Sequence, residues 1–216
     1  TDSNLNKQWC LKEIRKSEAG KNKVEYYSLL QEANIMKSLN NPFIPRITTI
    51  EECGDSIFII MDYVDGMSIK SLILKNGKIP ADTVVGWMQQ VTQVITYLHS
   101  QKEPIFYRDM KPDNVMIQSD GSVRVLDFGI SIVIRCKGQK IDSALGTKGY
   151  AAPEQCKKGN LCDLRSDIYA MGMTMYYMLT GINPSQLKGG IKNPREVDSS
   201  IPVGLENIVL KCIQSS

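Results

Sequence analysis

The chain has 216 residues, of which 42% are hydrophobic, 23% charged and 7% aromatic. That is an ordinary globular composition, and it excludes collagen-like, disordered and disulfide-scaffold classes. The net charge of +3, from 26 basic and 23 acidic residues, is too mild for a nucleic-acid binder, which needs a clustered basic face.

Residues Lys7 to Ile14 read as a strand, with Trp9 and Leu11 on one face and Cys10, Lys12 and Ile14 on the other. Val24 to Leu39 reads as an amphipathic helix. Leu29, Ala33, Met36 and Leu39 fall at helical spacing, and Asn40-Asn41-Pro42 stops the helix. Two more strands, Ile44 to Glu52 and Ser56 to Tyr63, join at Gly54-Asp55 as a hairpin. The remainder is mainly helical. Pro80 opens a helix at its first turn, and Val84, Met88, Val91, Ile95 and Leu98 give it one apolar stripe.

A short hairpin follows, Val115 to Gln118 and Val123 to Leu126, around Ser119-Asp120-Gly121-Ser122. Residues 129 to 163 show no period and read as a long loop, a length that usually serves function. Ile168 to Leu179 is apolar nearly all round, so it is expected as a buried core helix closed by Gly181. It is shorter than the roughly 20 residues that span a bilayer, and no signal-peptide pattern opens the chain. Six cysteines (Cys10, Cys53, Cys136, Cys156, Cys162 and Cys212) form no C-x-x-C pair. With one histidine, His99, they fit a reduced cytosolic protein better than a zinc site or a disulfide framework.

The hairpin carries the first chemical signal. Its antiparallel strands place Asn114 and Asp127 about 5 Å apart, on the order of one strand spacing. An amide oxygen and a carboxylate are hard donors of the kind Mg²⁺ takes alongside phosphate oxygens and water. The same pair also reads as a turn-flanking Asn and a surface Asp.

The neighbours weigh on that choice. Asp109 lies within Tyr107-Arg108-Asp109-Met110-Lys111-Pro112-Asp113-Asn114, and Phe128-Gly129 follows Asp127. Here the chain resembles the eukaryotic-type serine/threonine protein kinases, whose catalytic loop reads H-R-D-x-x-x-x-N and whose metal motif reads D-F-G. Ala152-Pro153-Glu154 matches their A-P-E motif, preceded by a strip, Gly146-Thr147-Lys148-Gly149-Tyr150, similar to the substrate-docking strip. Tyr-Arg-Asp and Ala-Ala-Pro-Glu-Gln are similar to the bacterial members.

The resemblance implies an α+β, two-lobed fold: a strand-rich N-lobe over 1–63, without its glycine-rich-loop strands, and a mainly helical C-lobe over 64–216. It implies transfer of the ATP γ-phosphoryl to protein Ser or Thr, including autophosphorylation, with Mg²⁺ or Mn²⁺. Asp109 would accept the hydroxyl proton and Lys111 would neutralise the γ-phosphate. Asn114 and Asp127 would hold the metal. Lys12 would bind the α- and β-phosphates and be held by Glu32. Cys10 would roof the adenine and Met116 floor it. Met61 would be the gatekeeper, the backbone of Asp62 and Val64 would bond adenine, and Asp65 would reach the ribose. Asp167 would brace the catalytic-loop backbone. Arg108 would pair with a phosphorylated residue, for which Ser143 is the candidate, and Thr147 would dock substrate and contact Asp109. Without the motifs, a Met in an apolar strand reads as core and a Lys in a strand as solvated. The resemblance also implies N-lobe homodimerisation and a cytoplasmic place, including as the cytoplasmic domain of a single-span receptor, with no span in this chain.

Three departures qualify this. Tyr107 stands where the family has His; the ring packs the motif and transfers no proton. The first glycine, Gly20, lies past Lys12, so the glycine-rich loop is not here. Nor is the Arg that would pair Glu154, and an unpaired buried carboxylate is costly. These point to a truncated piece of an active kinase. A pseudokinase scaffold and a small-molecule phosphotransferase on a related fold are the alternatives. The intact acids argue against the first alternative, and the A-P-E motif with Thr147 against the second.

Overall fold

Strand alternation builds the first sheet. In a computed structural model describing residues 7–15, 34–128, 131–133, 146–156, 162–187 and 190–214, strands β1 (Trp9–Arg15), β2 (Ile47–Cys53) and β3 (Ser56–Asp62) form an antiparallel sheet of order β1-β3-β2. Ile57 and Ile59 of β3 point to the buried side. The register sets Cys10 opposite Met61 and Lys12 opposite Ile59. β2 starts three residues later than the sequence suggests, because Pro45 has no N–H to give a ladder. The hairpin turn falls on Gly54-Asp55 as expected, with Gly54 at φ 57°, the left-handed geometry that such tight turns require. Residues 34–38 are helical (α1), with Met36 and Leu39 buried. The rest of the helix expected from Val24, Glu32 included, lies outside the described residues.

The chain divides into two compact units, Thr1–Asp65 and Gly66–Ser216. The second contains β4 (Met67–Ser68), α2 (Ile69–Asn76), α3 (Ala81–His99), β5 (Ile105–Phe106), β6 (Val115–Ile117), β7 (Val123–Val125), β8 (Ile132–Val133), α4 (Arg165–Thr180), α5 (Pro194–Val197) and α6 (Val203–Cys212). Two small sheets, β4-β6-β7 and β5-β8, pair antiparallel. A 3₁₀ turn at Pro153–Cys156 breaks the segment read as one long loop.

Helix α3 buries the whole predicted stripe, Val84, Met88, Val91, Ile95 and Leu98. Pro80 precedes the helix rather than opening it, and its carbonyl accepts from Val84 N–H at 3.0 Å. The β6–β7 strands are three residues each, one shorter than expected.

Helix α4 is the core helix foreseen, with one inversion. Ile168 is 39% exposed and Asp167 fully buried, because Asp167 finds hydrogen-bond partners inside. Gly181 ends α4 at φ 69°, its N–H donating to the Tyr177 carbonyl at 2.9 Å. Helix α6 lies so close to α4 that a Cβ on Gly172 would fall 2.6 Å from the Cys212 Cβ. Helix α2 is started by Ser68, whose hydroxyl accepts from Ser71 N–H at 3.1 Å. No helix among the described residues is long and apolar enough to cross a membrane.

Candidate active site

The segment between β5 and β6 has no regular structure, so its shape must come from side-chain hydrogen bonds. Asp167, in the first turn of α4, supplies them. Its Oδ1 accepts from Arg108 N–H at 2.8 Å, and its Oδ2 from Tyr107 N–H at 3.0 Å. Oδ2 also meets His99 Nε2 at 2.8 Å. Three partners are what make a buried carboxylate tolerable. Sequence reasoning expected the backbone brace but not the part of His99. The available signal was two polar outliers, one ending an apolar stripe and one opening an apolar helix.

The loop then brings four of the candidate residues together. Asp109 Oδ2 accepts from Lys111 Nζ at 2.7 Å and Asn114 Nδ2 at 2.9 Å. Its Oδ1 accepts from Thr147 Oγ1 at 2.7 Å. Lys111 Nζ also donates to Thr147 Oγ1 at 2.9 Å, and Asn114 Nδ2 to the Asp109 carbonyl at 2.9 Å. The Asp109 side chain keeps 12% of its surface exposed, enough for a hydroxyl to reach it.

The hairpin sets Asn114 beside the residues leading to Asp127, since Leu126 N–H donates to the Asn114 carbonyl at 2.8 Å. Asn114 is buried and Asp127 exposed. With the amide nitrogen turned to Asp109, the amide oxygen is the group that can meet a cation. Among the described residues no three His, Cys, Asp or Glu gather into a metal-holding group. One carboxylate and one amide oxygen are a donor set that fits a divalent cation whose remaining ligands are phosphate oxygens and water.

Among the described residues, Arg108 (φ 73°) and Asp127 (φ 55°) are the non-glycine residues in the left-handed region. Both lie in this site, where such backbone strain concentrates. Tyr107 is fully buried; its hydroxyl donates to the Leu126 carbonyl, and its ring meets Phe128 edge-on at 5.1 Å between centroids. Burial first, then Asp109 and Asp127, push its phenol pKa well above the ordinary value. The guanidinium of Arg108 is buried, 5.9 Å from the centre of the Phe106 ring. Burial lowers its pKa from the ordinary value.

The strip after Thr147 is anchored by shape. A Cβ on Gly149 would lie 2.5 Å from the Ser185 nitrogen, so the backbone seats where no side chain fits. Tyr150 is buried and donates its hydroxyl to Asn183 Oδ1 at 3.3 Å. Glu154 corrects an expectation. Read as lacking its partner, it accepts from Ser166 Oγ at 2.7 Å. This hydroxyl, twelve residues on, is a partner that motif matching could not supply.

Within the first unit, Cys10 is exposed and Lys12 half-buried on one face of β1, and Met61 is the next-to-last residue of β3, opposite Cys10. Asp62 accepts from Lys7 Nζ at 3.1 Å and from Arg46 N–H at 3.2 Å. Its own N–H donates to the Arg46 carbonyl at 3.0 Å, so any adenine contact by Asp62 falls to its carbonyl. Val64 is buried and Asp65 exposed. In the second unit Met116 stands in β6 opposite Arg124. Ser143 and Glu32 lie outside the described residues.

Comparison with known proteins identifies the family. A family model described as protein kinase domain matches residues 1–207. The chain is 33% identical to serine/threonine-protein kinase PrkC of Bacillus subtilis, over 84% of this chain and 29% of that protein. It is 30% identical to serine/threonine-protein kinase PknB of Mycobacterium leprae, over 87% of this chain and 32% of the relative. It is 33% identical to serine/threonine-protein kinase cds1 of Schizosaccharomyces pombe, over 71% and 34% respectively. The chain thus spans about a third of the length of the curated relatives it matches. It belongs to the protein kinase domain family, on the serine/threonine side, a family that uses ATP and a divalent cation to modify proteins.

Proposed function

We propose that this protein transfers the γ-phosphoryl group of ATP to Ser or Thr hydroxyls of proteins, its own chain included. The observation that carries the reading is the Asp109 carboxylate ringed by Lys111, Asn114 and Thr147 at 2.7 to 2.9 Å. Phosphoryl transfer asks for positioning and charge neutralisation more than covalent chemistry. Asp109 orients the acceptor hydroxyl and takes its proton. Lys111, already held against Asp109, neutralises the γ-phosphate as the bond to the leaving oxygen lengthens. Thr147 ties the docking strip to the catalytic carboxylate, so an acceptor peptide seated on the strip presents its hydroxyl there.

Asn114 and Asp127 hold the cation. Mg²⁺, or Mn²⁺ in its place, neutralises phosphate charge there when bound. Lys12 takes the α- and β-phosphates, positioned by Glu32. Cys10, Met61, Asp62, Val64 and Met116 contact adenine, and Asp65 the ribose. The two lobes extend over 1–63 and 64–216. Arg108 receives a phosphorylated residue of the activation segment, Ser143 being the candidate. A second copy of the chain is the partner for autophosphorylation. Protein rather than nucleic acid is the acceptor, which the mild net charge of +3 supports. The site of action is the cytoplasm, in keeping with the reduced-thiol reading of the cysteines.

The test is a Mg²⁺-ATP phosphotransfer assay with an Asp109→Asn control. Losing the proton acceptor should cost about a thousandfold in rate. Equal rates for the two proteins would leave a scaffold in place of a kinase.

A further inference from the structure

The docking strip runs beside the catalytic loop and meets it at both ends. At its start, Thr147 Oγ1 donates to Asp109 Oδ1 at 2.7 Å. At its end, the buried Tyr150 phenol lies by Tyr177 and Asp113. Burial first, then those two neighbours, push its pKa up from the ordinary value. A segment seated on the strip therefore passes Asp113 as well as Asp109.

Asp113 is not a bare charge. Lys70, in the first turn of α2, donates from Nζ to Asp113 Oδ1 at 2.6 Å. The Lys70 N–H donates to the Pro112 carbonyl at 3.1 Å. Side chain and backbone thus fasten α2 to neighbouring residues of the loop. Even so, the Lys70 and Asp113 side chains stay 42% and 40% exposed. An ion pair that open contributes little free energy, so an incoming charge can exchange into it. The ammonium uses one of its three donors on Asp113, which leaves donors for a second carboxylate.

The surrounding charges set the sign of what fits. Asp109 is answered by Lys111 at 2.7 Å, and Asp113 by Lys70. Lys148, within the strip, is exposed and adds a cation that neither pair answers. The N–H groups opening α2 are already taken, that of Lys70 by Pro112 and that of Ser71 by Ser68 Oγ. The Lys70 ammonium is therefore the group that an anion meets at this end of α2.

We propose that Lys70 is a specificity-determining residue: by masking Asp113 and presenting its ammonium beside the strip, it selects acceptor segments whose Ser or Thr is flanked by acidic residues. The proposal rests on the reading of this protein as a kinase with Asp109 as proton acceptor, and it adds the class of acceptor.

The test compares kcat/KM for two acceptor peptides that differ only in carrying Glu or Arg on both sides of a single Thr, with Mg²⁺-ATP. The parent should favour the Glu peptide about fivefold, the scale of one exposed charge pair, and the ratio should shrink at high salt. Lys70→Met uncovers Asp113 and should bring the ratio to about one or below. Asp113→Asn removes the acid that occupies Lys70 and should raise the ratio about fivefold further. Equal use of the two peptides by the parent overturns the proposal, as does a ratio that Lys70→Met leaves unchanged. Should Lys70→Met not fold, an unchanged ratio in Asp113→Asn overturns it instead. Transfer by the parent to its own chain but to neither peptide sinks the proposal and leaves the kinase reading standing. Transfer to neither peptide nor its own chain removes that reading, and the proposal falls with it.

Discussion

The two units hold their functional side chains by different means. In the first, residues ride on a sheet whose backbone ladder fixes their register, and the side-chain contacts lie at the surface. Leu11 is 59% exposed, and the Ser56 hydroxyl donates to Glu13 at 2.7 Å in the open. In the second, the catalytic loop has no ladder, and buried carboxylates and hydroxyls define it from within. The difference teaches where shape and chemistry share residues. In the second unit, removing a polar group removes both. In the first, chemistry can be deleted while the fold stays.

Four changes would break or sharpen that contrast. Asp167→Ala should have the largest effect, since it strands two buried N–H groups and His99 together. We expect a loss of about 3 kcal/mol in unfolding free energy with phosphotransfer lost as well, read by denaturant melts beside activity. Lys12→Met should lower kcat/KM about a hundredfold, the scale of losing one charge-stabilising donor, with an unchanged melt. A destabilised Lys12→Met would erase the contrast.

Gly172→Ala forces a Cβ against Cys212 and Ile213 and should cost about 2 kcal/mol. That is a purely structural loss inside the second unit, visible in the melt before it is visible in the rate at low temperature. The smallest effect is at Asp198, where the hydrogen bond from Lys78, then Ser200, holds the carboxyl down at about 2 against an ordinary 3.8. The folded state favours the charged form. This contribution is therefore present above the ordinary value and fades as pH falls toward about 2. Asp198→Asn should differ from the parent in melts near neutral pH, and the gap should close on acidification.

Much of this was legible because period and motif agree. The α3 stripe and the β2–β3 and β6–β7 hairpins follow from spacing and turn residues, and Asp109, Asn114 and Asp127 follow from motif order. What was not legible depends on distance in space. His99 and Asp167 are 68 residues apart, and although motif order singles out Asp167, nothing in the sequence pairs it with His99 until the fold joins them. Ser166 is unremarkable until Glu154 meets it. The left-handed backbone at Arg108 and Asp127 has no mark in the sequence, since neither residue is glycine. Pro45 shortened β2 by a rule that the apolar run from Ile44 concealed.

Asp167 has a consequence for the order in which the chain acquires activity. The two peptide groups that it captures lie 59 and 60 residues earlier, so the catalytic loop cannot take its shape until that long stretch has closed. Closing a loop of this length precedes any reward from the contacts it makes. Helix α3 also has to arrive, because His99 shares the same carboxylate. A chain emerging from the ribosome therefore carries Asp109 well before Asp109 has anything to work with. Pulse-labelling hydrogen exchange during refolding should protect the amides of Tyr107 and Arg108 only after those of α3.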